Sequence, residues 1–273
     1  MNALDIDNTQ LISFLEEIWK IYQVDFREYG KAHLKRRIRN RMTIAKYKTF
    51  QILKEDVLTN KIAFEGLFKD FSINVTELFR DPEFYHQLHQ ILLAEKQTKD
   101  INIWVTACAS GEEAFSVLMM LEHFGMGYQK IIATDFNPYI IDFASKGRID
   151  SSKKKEYEKN LSKTDFDINL ADYFDDFGSY MELKPEYLSK IEFVTHNLLE
   201  NFEHNHFDLI LCRNVLIYFE KNLQNKVINL LSKSLVPNGL FCLGSKESLR
   251  FMEAYSIYYT VDQTHKIYQK KEY

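Results

Sequence analysis

Hydrophobic residues in the first seventy positions recur with the spacing of amphipathic helices. Four of them stand at i, i+3, i+4 and i+7, on one helix face: Leu11, Phe14, Leu15 and Ile18. A second run, 33–42, has apolar residues every four positions with arginines between them, and a third apolar set follows at 50–58. The pattern predicts that residues 8–70 are helical and form a small all-α domain.

The periodicity changes after about residue 100, where short apolar runs alternate with helical patterns. Strands are predicted at 101–107, 130–135, 191–195, 207–212 and 240–244. Helices are predicted at 112–124, 138–144 and 222–235, the last ending at Pro237-Asn238-Gly239, and a hairpin is predicted at 255–269. Strands that alternate with helices of this length predict an α/β fold with a parallel sheet and right-handed crossovers.

Residues 148–190 interrupt this alternation. They are polar and rich in lysine at first, and then carry aromatic and apolar positions. We expect an inserted helix and a small antiparallel β subdomain there. The predicted organisation is therefore a helical domain at 1–70 and an α/β domain at 71–273, with an insertion at about 148–190.

Charge is distributed unevenly along the chain. The net charge of −4 and a pI near 6.1 argue against nucleic-acid binding by bulk electrostatics. Residues 31–48, however, hold eight basic residues and no acidic one, so one face of the helical domain is expected to be basic. We expect a soluble, cytoplasmic protein, because no leader peptide opens the chain and no apolar run approaches the length of a membrane span.

The three cysteines, Cys108, Cys212 and Cys242, stand in apolar, strand-like contexts without metal-ligand spacing. We expect reduced core residues and no metal site.

Polar side chains follow the predicted strand at 207–212. Arg213 and Asn214 come directly after it, and Tyr218 lies four residues further on in an otherwise apolar run. Because open α/β folds bind ligands at the carboxyl edge of the sheet, these residues are candidates for a site.

The segment from Ala107 to Glu113 leaves the first strand and opens a helix. Its small residues and Gly111 allow a ligand to approach the backbone closely. The segment lacks the lysine and further glycines of a phosphate loop, and two glutamates would repel a phosphate. A ligand with an ammonium group, such as S-adenosylmethionine, fits better; a capped helix with an acidic first turn remains the alternative.

Asp135 ends the next strand, 22 residues after Glu113. A carboxylate there can accept hydrogen bonds from both ribose hydroxyls of a nucleoside, although it could instead cap the following helix. Asn197 and Leu198 follow the strand at 191–195, where the amide could contact an adenine edge and Leu198 could pack on the ring.

The segment 71–81 joins the two predicted domains. If it is helical, Thr76 and Arg80 are i, i+4 neighbours on one face, and Asn74 caps the helix. A linker helix with a solvated Arg80 is the alternative.

These segments occur in an order that resembles the chemoreceptor glutamate O-methyltransferases, the CheR family. The matching segments are 74–80, 109–113, 133–135, 197–200, 212–219 (CRNVLIYF) and 244–248. The resemblance covers nearly the whole chain. It implies a Rossmann-like S-adenosylmethionine-dependent methyltransferase domain with an inserted small antiparallel β subdomain, preceded by a small all-α domain.

The resemblance also implies roles for individual residues. The cofactor-binding residues would be Asn74, Thr76, Arg80, Glu113, Asp135, Asn197, Leu198, Arg213 and Asn214. Glu113 would hold the methionine part of S-adenosylmethionine and Asp135 its ribose. Arg80 and Tyr218 would be the catalytic residues, beside the transferable methyl group and the incoming glutamate. The product would be S-adenosylhomocysteine, and the partners would be receptor cytoplasmic helices, bound through the basic segment 31–48 and the inserted subdomain.

The chain departs from the family pattern at three places. Ala114-Phe115 replaces Pro-Tyr, Gly244-Ser-Lys-Glu-Ser248 replaces Gly-His-Ser-Glu-Ser, and the loop Asp175–Ser179 is shorter and poorer in glycine than in members that dock a receptor's C-terminal pentapeptide. We therefore expect that this protein does not depend on such a tether. Two other functions remain open: RNA methylation, which the basic helix could support, and a catalytically silent adaptor that binds S-adenosylmethionine or S-adenosylhomocysteine. The absence of an Asn-Pro-Pro-Tyr motif argues against RNA methylation.

Overall fold

The computed structural model describes residues 6–72, 76–94, 100–202 and 206–272. These residues group into two compact units. The first comprises the N-terminal helical residues together with Tyr218–Gln224, and the second comprises the remaining described residues.

The first unit is built from four helices. They are α1 (Asn8–Tyr22), α2 (Lys31–Ile44), α3 (Phe50–Thr59) and α4 (Lys61–Phe71). The four residues predicted for the inner face of α1 are all buried, and so are the residues spaced by four in α2, Leu34, Ile38 and Met42. Asn60 separates α3 from α4, since its side chain accepts a hydrogen bond from the Ile62 amide and caps α4.

The second unit contains a mixed seven-stranded sheet. Its strands are β1 (Ile101–Thr106), β2 (Tyr128–Asp135), β6 (Ile191–Thr195), β7 (Phe207–Cys212), β8 (Leu235–Leu243), β9 (Tyr258–Asp262) and β10 (Ile267–Lys270), in the order β6-β2-β1-β7-β8-β10-β9. The first five in that order run parallel, and β10 and β9 add the predicted antiparallel hairpin. The strand order reverses at β1, which lies between β2 and β7, so this edge is a topological switch point.

Helices and the inserted subdomain complete this unit. The helices are α5 (Pro82–Ala94), α6 (Glu112–His123), α7 (Pro138–Ala144), α8 (Lys154–Leu161), α9 (Leu170–Tyr173), α10 (Pro185–Leu188) and α11 (Lys221–Ser234), whose first four residues belong to the first unit. The strands β3 (Arg148–Asp150), β4 (Phe174–Asp176) and β5 (Tyr180–Leu183) form a separate antiparallel sheet in the order β3-β5-β4. The predicted helix and antiparallel excursion at 148–190 are therefore present.

The strand β8 begins earlier than its sequence predicts. The preceding helix ends at Ser234, and β8 starts at Leu235 instead of Leu240. The segment Pro237-Asn238-Gly239 lies inside the strand, where the pairing with β7 shifts register and Asn238 has φ 63°. Because proline cannot donate to a ladder and Asn238 is left-handed, these residues form an irregularity and do not end the element.

Two further expectations concern the burial of the cysteines and helices long enough to span a membrane. Cys108, Cys212 and Cys242 are buried and free, as predicted for core residues. Within the described ranges, no helix has the length and apolarity required to cross a bilayer.

Candidate active site

Three loops meet at the carboxyl edge of the sheet where the strand order reverses. They follow β1, β2 and β7, which are neighbours in the sheet. Asp135 is the last residue of β2, Arg213 follows β7 directly, and Glu113 lies in the first turn of α6, where the loop after β1 ends. The sequence predicted this carboxyl edge for Arg213, and the topology confirms that position.

The loop after β1 adopts a tight, left-handed path. Ala107, Ala109 and Gly111 have φ values of 49°, 50° and 98°. A β-carbon on Gly111 would lie 2.7 Å from the Phe115 ring, so only glycine fits there. The helix α6 starts immediately afterwards, with Glu112 and Glu113 in its first turn.

Asp135 holds the loop after β1 at the end of β2 by accepting a hydrogen bond. Its Oδ2 accepts a hydrogen bond from the Ala109 amide at 3.1 Å, and its Oδ1 accepts one from the Asn137 amide at 3.0 Å. The following helix α7 is capped by Asn137 and not by Asp135, since Asn137 Oδ1 accepts the Tyr139 amide. Burial raises the pKa of the Asp135 carboxyl, against the effect of these amides.

Glu113 and Arg213 form a buried ion pair. Arg213 Nη1 donates to Glu113 Oε1 at 2.5 Å, and Nη2 donates to Asp81 Oδ2 at 3.0 Å and to the Arg80 carbonyl at 3.1 Å. The guanidinium also lies 3.9 Å from the centre of the Phe84 ring. Burial raises the pKa of the Glu113 carboxyl, and the charge of Arg213 opposes that shift.

The helix predicted from Asn74 through Arg80 is wrong. The described part of this segment forms a turn at Leu78–Arg80, and the helix α5 begins only at Pro82. Asp81, with φ 58°, precedes a proline, and this disfavours the right-handed helical conformation. Thr76 and Arg80 therefore share no helix face, although both are partly buried, and Asn74 lies outside the described residues.

Asn214 occupies a left-handed position directly after Arg213, with φ 61°. Its amide donates to Glu247 Oε2 at 2.8 Å. Glu247 also accepts the amides of Gly244, Leu216 and Ile217, at 2.7, 2.7 and 3.3 Å. This buried carboxylate thus fixes the loop after β7, a role that the sequence analysis missed.

The residues that depart from the family pattern at 244–248 are not the ones that make these contacts. Ser245 and Lys246 are exposed, whereas Gly244 and Glu247 are buried and retained. A β-carbon on Gly244 would lie 2.7 Å from Asn214 Nδ2 and 2.8 Å from Glu247 Oε2, so the close approach requires glycine. The retained glycine and glutamate around a strand end are the signal that could have revealed this feature.

Asn197 and Leu198 follow β6, the strand beside β2. The His196 amide donates to the Asp135 carbonyl at 3.0 Å, which ties this segment to the end of β2. Asn197 Oδ1 accepts the Leu199 amide at 3.1 Å and its side chain is exposed, while Leu198 is buried.

Tyr218 belongs to the helical unit. Its carbonyl accepts the Gly30 amide at 2.8 Å, and its ring centre lies 4.7 Å from that of His33 on α2. Its catalytic role stays a prediction.

Comparison with known proteins identifies the family. The model of the CheR methyltransferase S-adenosylmethionine-binding domain matches residues 74–267, and that of the CheR all-alpha domain matches residues 9–72. The chain belongs to the CheR methyltransferase family. It is 33% identical to the "Putative methyltransferase Cher3" of Pseudomonas putida over 89% of both chains. It is 30% identical to the "Chemotaxis protein methyltransferase" of Listeria monocytogenes over 83% of this chain and 85% of that one.

The similarity to a solved structure is weaker. The N-methyltransferase NodS of Bradyrhizobium japonicum, in complex with S-adenosyl-l-homocysteine, is 16% identical, covers 71% of each chain and gives a TM-score of 0.34. Family membership makes this protein an S-adenosylmethionine-dependent methyltransferase.

The chemistry of the site fits this cofactor. S-adenosylmethionine offers an ammonium group and a ribose diol, and this CheR-family enzyme presents two buried or partly buried carboxylates, Asp135 at the end of β2 and Glu113 in the first turn of α6. Each carboxylate oxygen can accept a second hydrogen bond beside those it already makes. Within the described residues, no cluster of three or more His, Cys, Asp or Glu side chains is arranged to hold a metal ion.

Proposed function

We propose that this enzyme transfers the methyl group of S-adenosylmethionine to glutamate side chains of chemotaxis receptors in the cytoplasm. The products would be glutamate methyl esters and S-adenosylhomocysteine. The observation that carries the proposal is the match of both CheR domains along the chain, supported by relatives named chemotaxis protein methyltransferase.

The proposed cofactor contacts follow the carboxyl edge of the sheet. Asp135 would accept hydrogen bonds from the ribose hydroxyls, and Glu113 would accept the ammonium group. Asn197 and Leu198 would contact the adenine. The other proposed contacts come from the segments 74–80 and 213–214: Asn74, Thr76, Arg80, Arg213 and Asn214.

The ion pair refines the role proposed for Arg213. Its guanidinium donates hydrogen bonds to Glu113, Asp81 and the Arg80 carbonyl, and its side chain is only 1% exposed. We infer that Arg213 serves the cofactor mainly by orienting Glu113 and the turn of Arg80. A carboxylate held by such a pair is preorganised to accept the ammonium group.

The methyl transfer needs little acid–base chemistry from the protein. A glutamate side chain has a pKa of about 4.3 and is already ionised at neutral pH, so the nucleophile needs no general base. When bound, S-adenosylmethionine supplies an electrophilic methyl group on a sulfonium. The enzyme must hold the carboxylate oxygen and this methyl carbon about 3–3.5 Å apart, in line, and exclude water. We propose that Arg80 holds the incoming carboxylate and that Tyr218 donates a hydrogen bond or restricts its approach.

The basic segment 31–48, which comprises α2 and the residues that follow it, is the proposed docking surface for the acidic methylation helices of a receptor. Arg36, Arg39, Lys46 and Lys48 are exposed in the segment 31–48, and so form its basic surface. Arg41 is not part of it, because its Nε donates to Asp70 at 2.5 Å and Nη2 donates to the Gly66 carbonyl. Electrostatic steering by this surface would weaken with salt.

Charge reversal tests the docking surface. The double variant Arg39→Glu/Lys46→Glu should raise the KM for receptor about 10-fold or more at low salt, because like charges then face the acidic helices. A matched control is Lys20→Glu/Lys61→Glu, which changes the charge equally at exposed positions of α1 and α4. Affinity for S-adenosylhomocysteine should not change in either. Equal effects of the two double variants would contradict docking through the segment 31–48.

The inserted subdomain is the second proposed receptor contact. Its strand β4 lies at the edge of the sheet β3-β5-β4, and Phe177 in the following loop is exposed. Because that loop is short, we propose that binding does not depend on a receptor's C-terminal pentapeptide. Calorimetry of the protein with such a pentapeptide should show no binding, and measurable binding would overturn this part of the proposal.

The proposed reaction is tested by mass spectrometry of receptor fragments after incubation with enzyme and S-adenosylmethionine. We expect a gain of one methylene mass on glutamate residues of the methylation helices. A substrate receptor with those glutamates replaced by alanine is the control. Modification of other residue types only would refute glutamate as the acceptor.

A further inference from the structure

The turn Leu78–Arg80 is held by side chains from three separate elements. The Ser116 hydroxyl on α6 accepts the Phe79 amide at 2.8 Å and donates to the Glu112 carbonyl at 2.6 Å. Asn160 Nδ2 on α8 donates to the Leu78 carbonyl at 3.0 Å. Arg213 Nη2 donates to the Arg80 carbonyl at 3.1 Å. Each of the three residues of the turn is therefore fixed through its own backbone.

The conformation of this turn requires such support. Phe79 has φ 52°, a left-handed value that is unfavourable for a bulky side chain and persists only where the surroundings impose it. The side chains of Leu78 and Phe79 are fully buried, so the turn is anchored in the core on one side. On its other side, the turn is held by the three hydrogen bonds from Ser116, Asn160 and Arg213.

We infer that Asn160 is a positioning residue for Arg80. This inference rests on the catalytic role proposed above for Arg80. Through its hydrogen bond to Leu78, Asn160 fixes the backbone two residues before Arg80 and so sets where the guanidinium lies. Since Asn160 belongs to the inserted segment 148–190, the insertion would set the geometry of methyl transfer as well as offer a surface to receptors.

Glu156, one turn before Asn160 on α8, is a carboxyl neighbour of Glu77, the residue that precedes the turn. Burial and this carboxyl neighbour raise the pKa of the Glu77 carboxyl. The hydrogen bond from Asn160 to the Leu78 carbonyl is therefore the contact through which α8 holds this segment.

The test compares two asparagine variants of the insertion. Asn160→Ala removes the hydrogen bond to the turn. Asn169→Ala is the matched control, because it also removes one asparagine hydrogen bond, the one that Asn169 Oδ1 accepts from the Ala171 amide at the start of α9, and that bond lies outside the turn. We expect kcat to fall about 10-fold or more in Asn160→Ala, since displacements of about 1 Å near the reacting groups can cost about 100-fold. Asn169→Ala should retain the wild-type kcat.

Three further measurements separate positioning from a loss of stability. Asn160→Asp, which keeps the size of the side chain but cannot donate, should show the same fall in kcat. The melting temperatures of Asn160→Ala and Asn169→Ala should be similar, because each loses one hydrogen bond. In an Arg80→Ala background, Asn160→Ala should cause little further loss, since a residue that acts through Arg80 has no effect without it.

The outcomes distinguish this inference from the proposed function. Equal kcat in the two asparagine variants, with Arg80→Ala inactive, would overturn the positioning role alone. An undiminished effect of Asn160→Ala in the Arg80→Ala background would also overturn it. Full activity of Arg80→Ala would overturn the catalytic role of Arg80 and, with it, the inference.

Discussion

Arg213 and Glu113 form an ion pair, 2.5 Å from Nη1 to Oε1, between the end of β7 and the first turn of α6. The Arg213 side chain is 1% exposed and that of Glu113 is 12% exposed. The same guanidinium binds Asp81 and the Arg80 carbonyl. This one side chain therefore joins three segments that carry predicted site residues.

Breaking this pair should destabilise the protein strongly. Arg213→Met leaves Glu113 with an unpaired charge in a buried place, and we expect a loss of about 3–5 kcal/mol in the free energy of unfolding. The double variant Arg213→Met/Glu113→Gln should recover part of that loss, because the unpaired carboxylate charge is then absent. Urea denaturation of Arg213→Met, Glu113→Gln and the double variant measures this, and strictly additive losses would argue against the pairing.

Glu247 should prove essential to the loop that follows β7. Glu247→Gln replaces an oxygen that accepts backbone amides with an amide group that cannot, so we expect a loss of about 2–4 kcal/mol in the free energy of unfolding. Glu253→Gln, at an exposed position, is the control and should stay within about 0.5 kcal/mol of the wild type. Similar free energies of unfolding for both variants, measured in urea, would contradict the role of Glu247 in holding the loop after β7.

Substitutions at Asp135 and Arg80 should have different effects: the first should mainly weaken cofactor binding, and the second should mainly lower kcat. Asp135→Asn removes a charged acceptor, which we expect to weaken S-adenosylhomocysteine binding about 10- to 100-fold, since hydrogen bonds to a charged group contribute about 1.5–3 kcal/mol. At saturating cofactor its kcat should change less. Calorimetry gives the first quantity and initial rates the second.

Arg80→Ala should show the opposite pattern. Loss of the group that holds the incoming carboxylate should lower kcat about 100-fold or more, with a smaller change in cofactor affinity. Full activity of this variant would remove Arg80 from the mechanism.

His33 should make the stability of the helical unit depend on pH. Burial, together with the nearby charges of Arg37 and Arg36, lowers the pKa of His33 from 6.5 to about 4. The folded state therefore favours the neutral ring, so its contribution to stability is present above pH 6.5 and is lost as the pH falls toward 4.

The variant His33→Asn tests this dependence. The wild type should lose about 1–2 kcal/mol more than the variant in the free energy of unfolding between about pH 7 and pH 4.5. Urea denaturation at both pH values provides the comparison. Parallel losses in the two proteins would show that other groups cause the acid sensitivity.

Local periodicity explains why most elements could be predicted. The apolar faces of α1 and α2, the parallel strands and the final hairpin all follow from spacing that a single element dictates, and the structure confirms them. The turn at 78–80 could not be read in this way. Its residues have helical spacing, but Pro82 and hydrogen bonds from distant side chains, Ser116 and Asn160, decide its path.

Long-range contacts limited the prediction of the site in the same way. The sequence placed Arg213 at the carboxyl edge of the sheet, because strand ends can be counted along the chain. It could not show that Arg213 pairs with Glu113 or that Glu247 binds the loop after β7, since these partners are 100 and 30–33 residues apart. Such pairings depend on tertiary structure alone.

The most direct test of the central claim is the chemical nature of the transferred methyl group. Receptor-enriched membranes are incubated with the enzyme and S-adenosylmethionine labelled in the methyl group, and the labelled protein is then treated with mild alkali. If the enzyme methylates glutamate, the label is released as volatile methanol, as a carboxyl methyl ester requires. Label that resists alkali would contradict glutamate methylation and turn attention to RNA or nitrogen methylation, and tight cofactor binding without any transfer would instead indicate a silent adaptor.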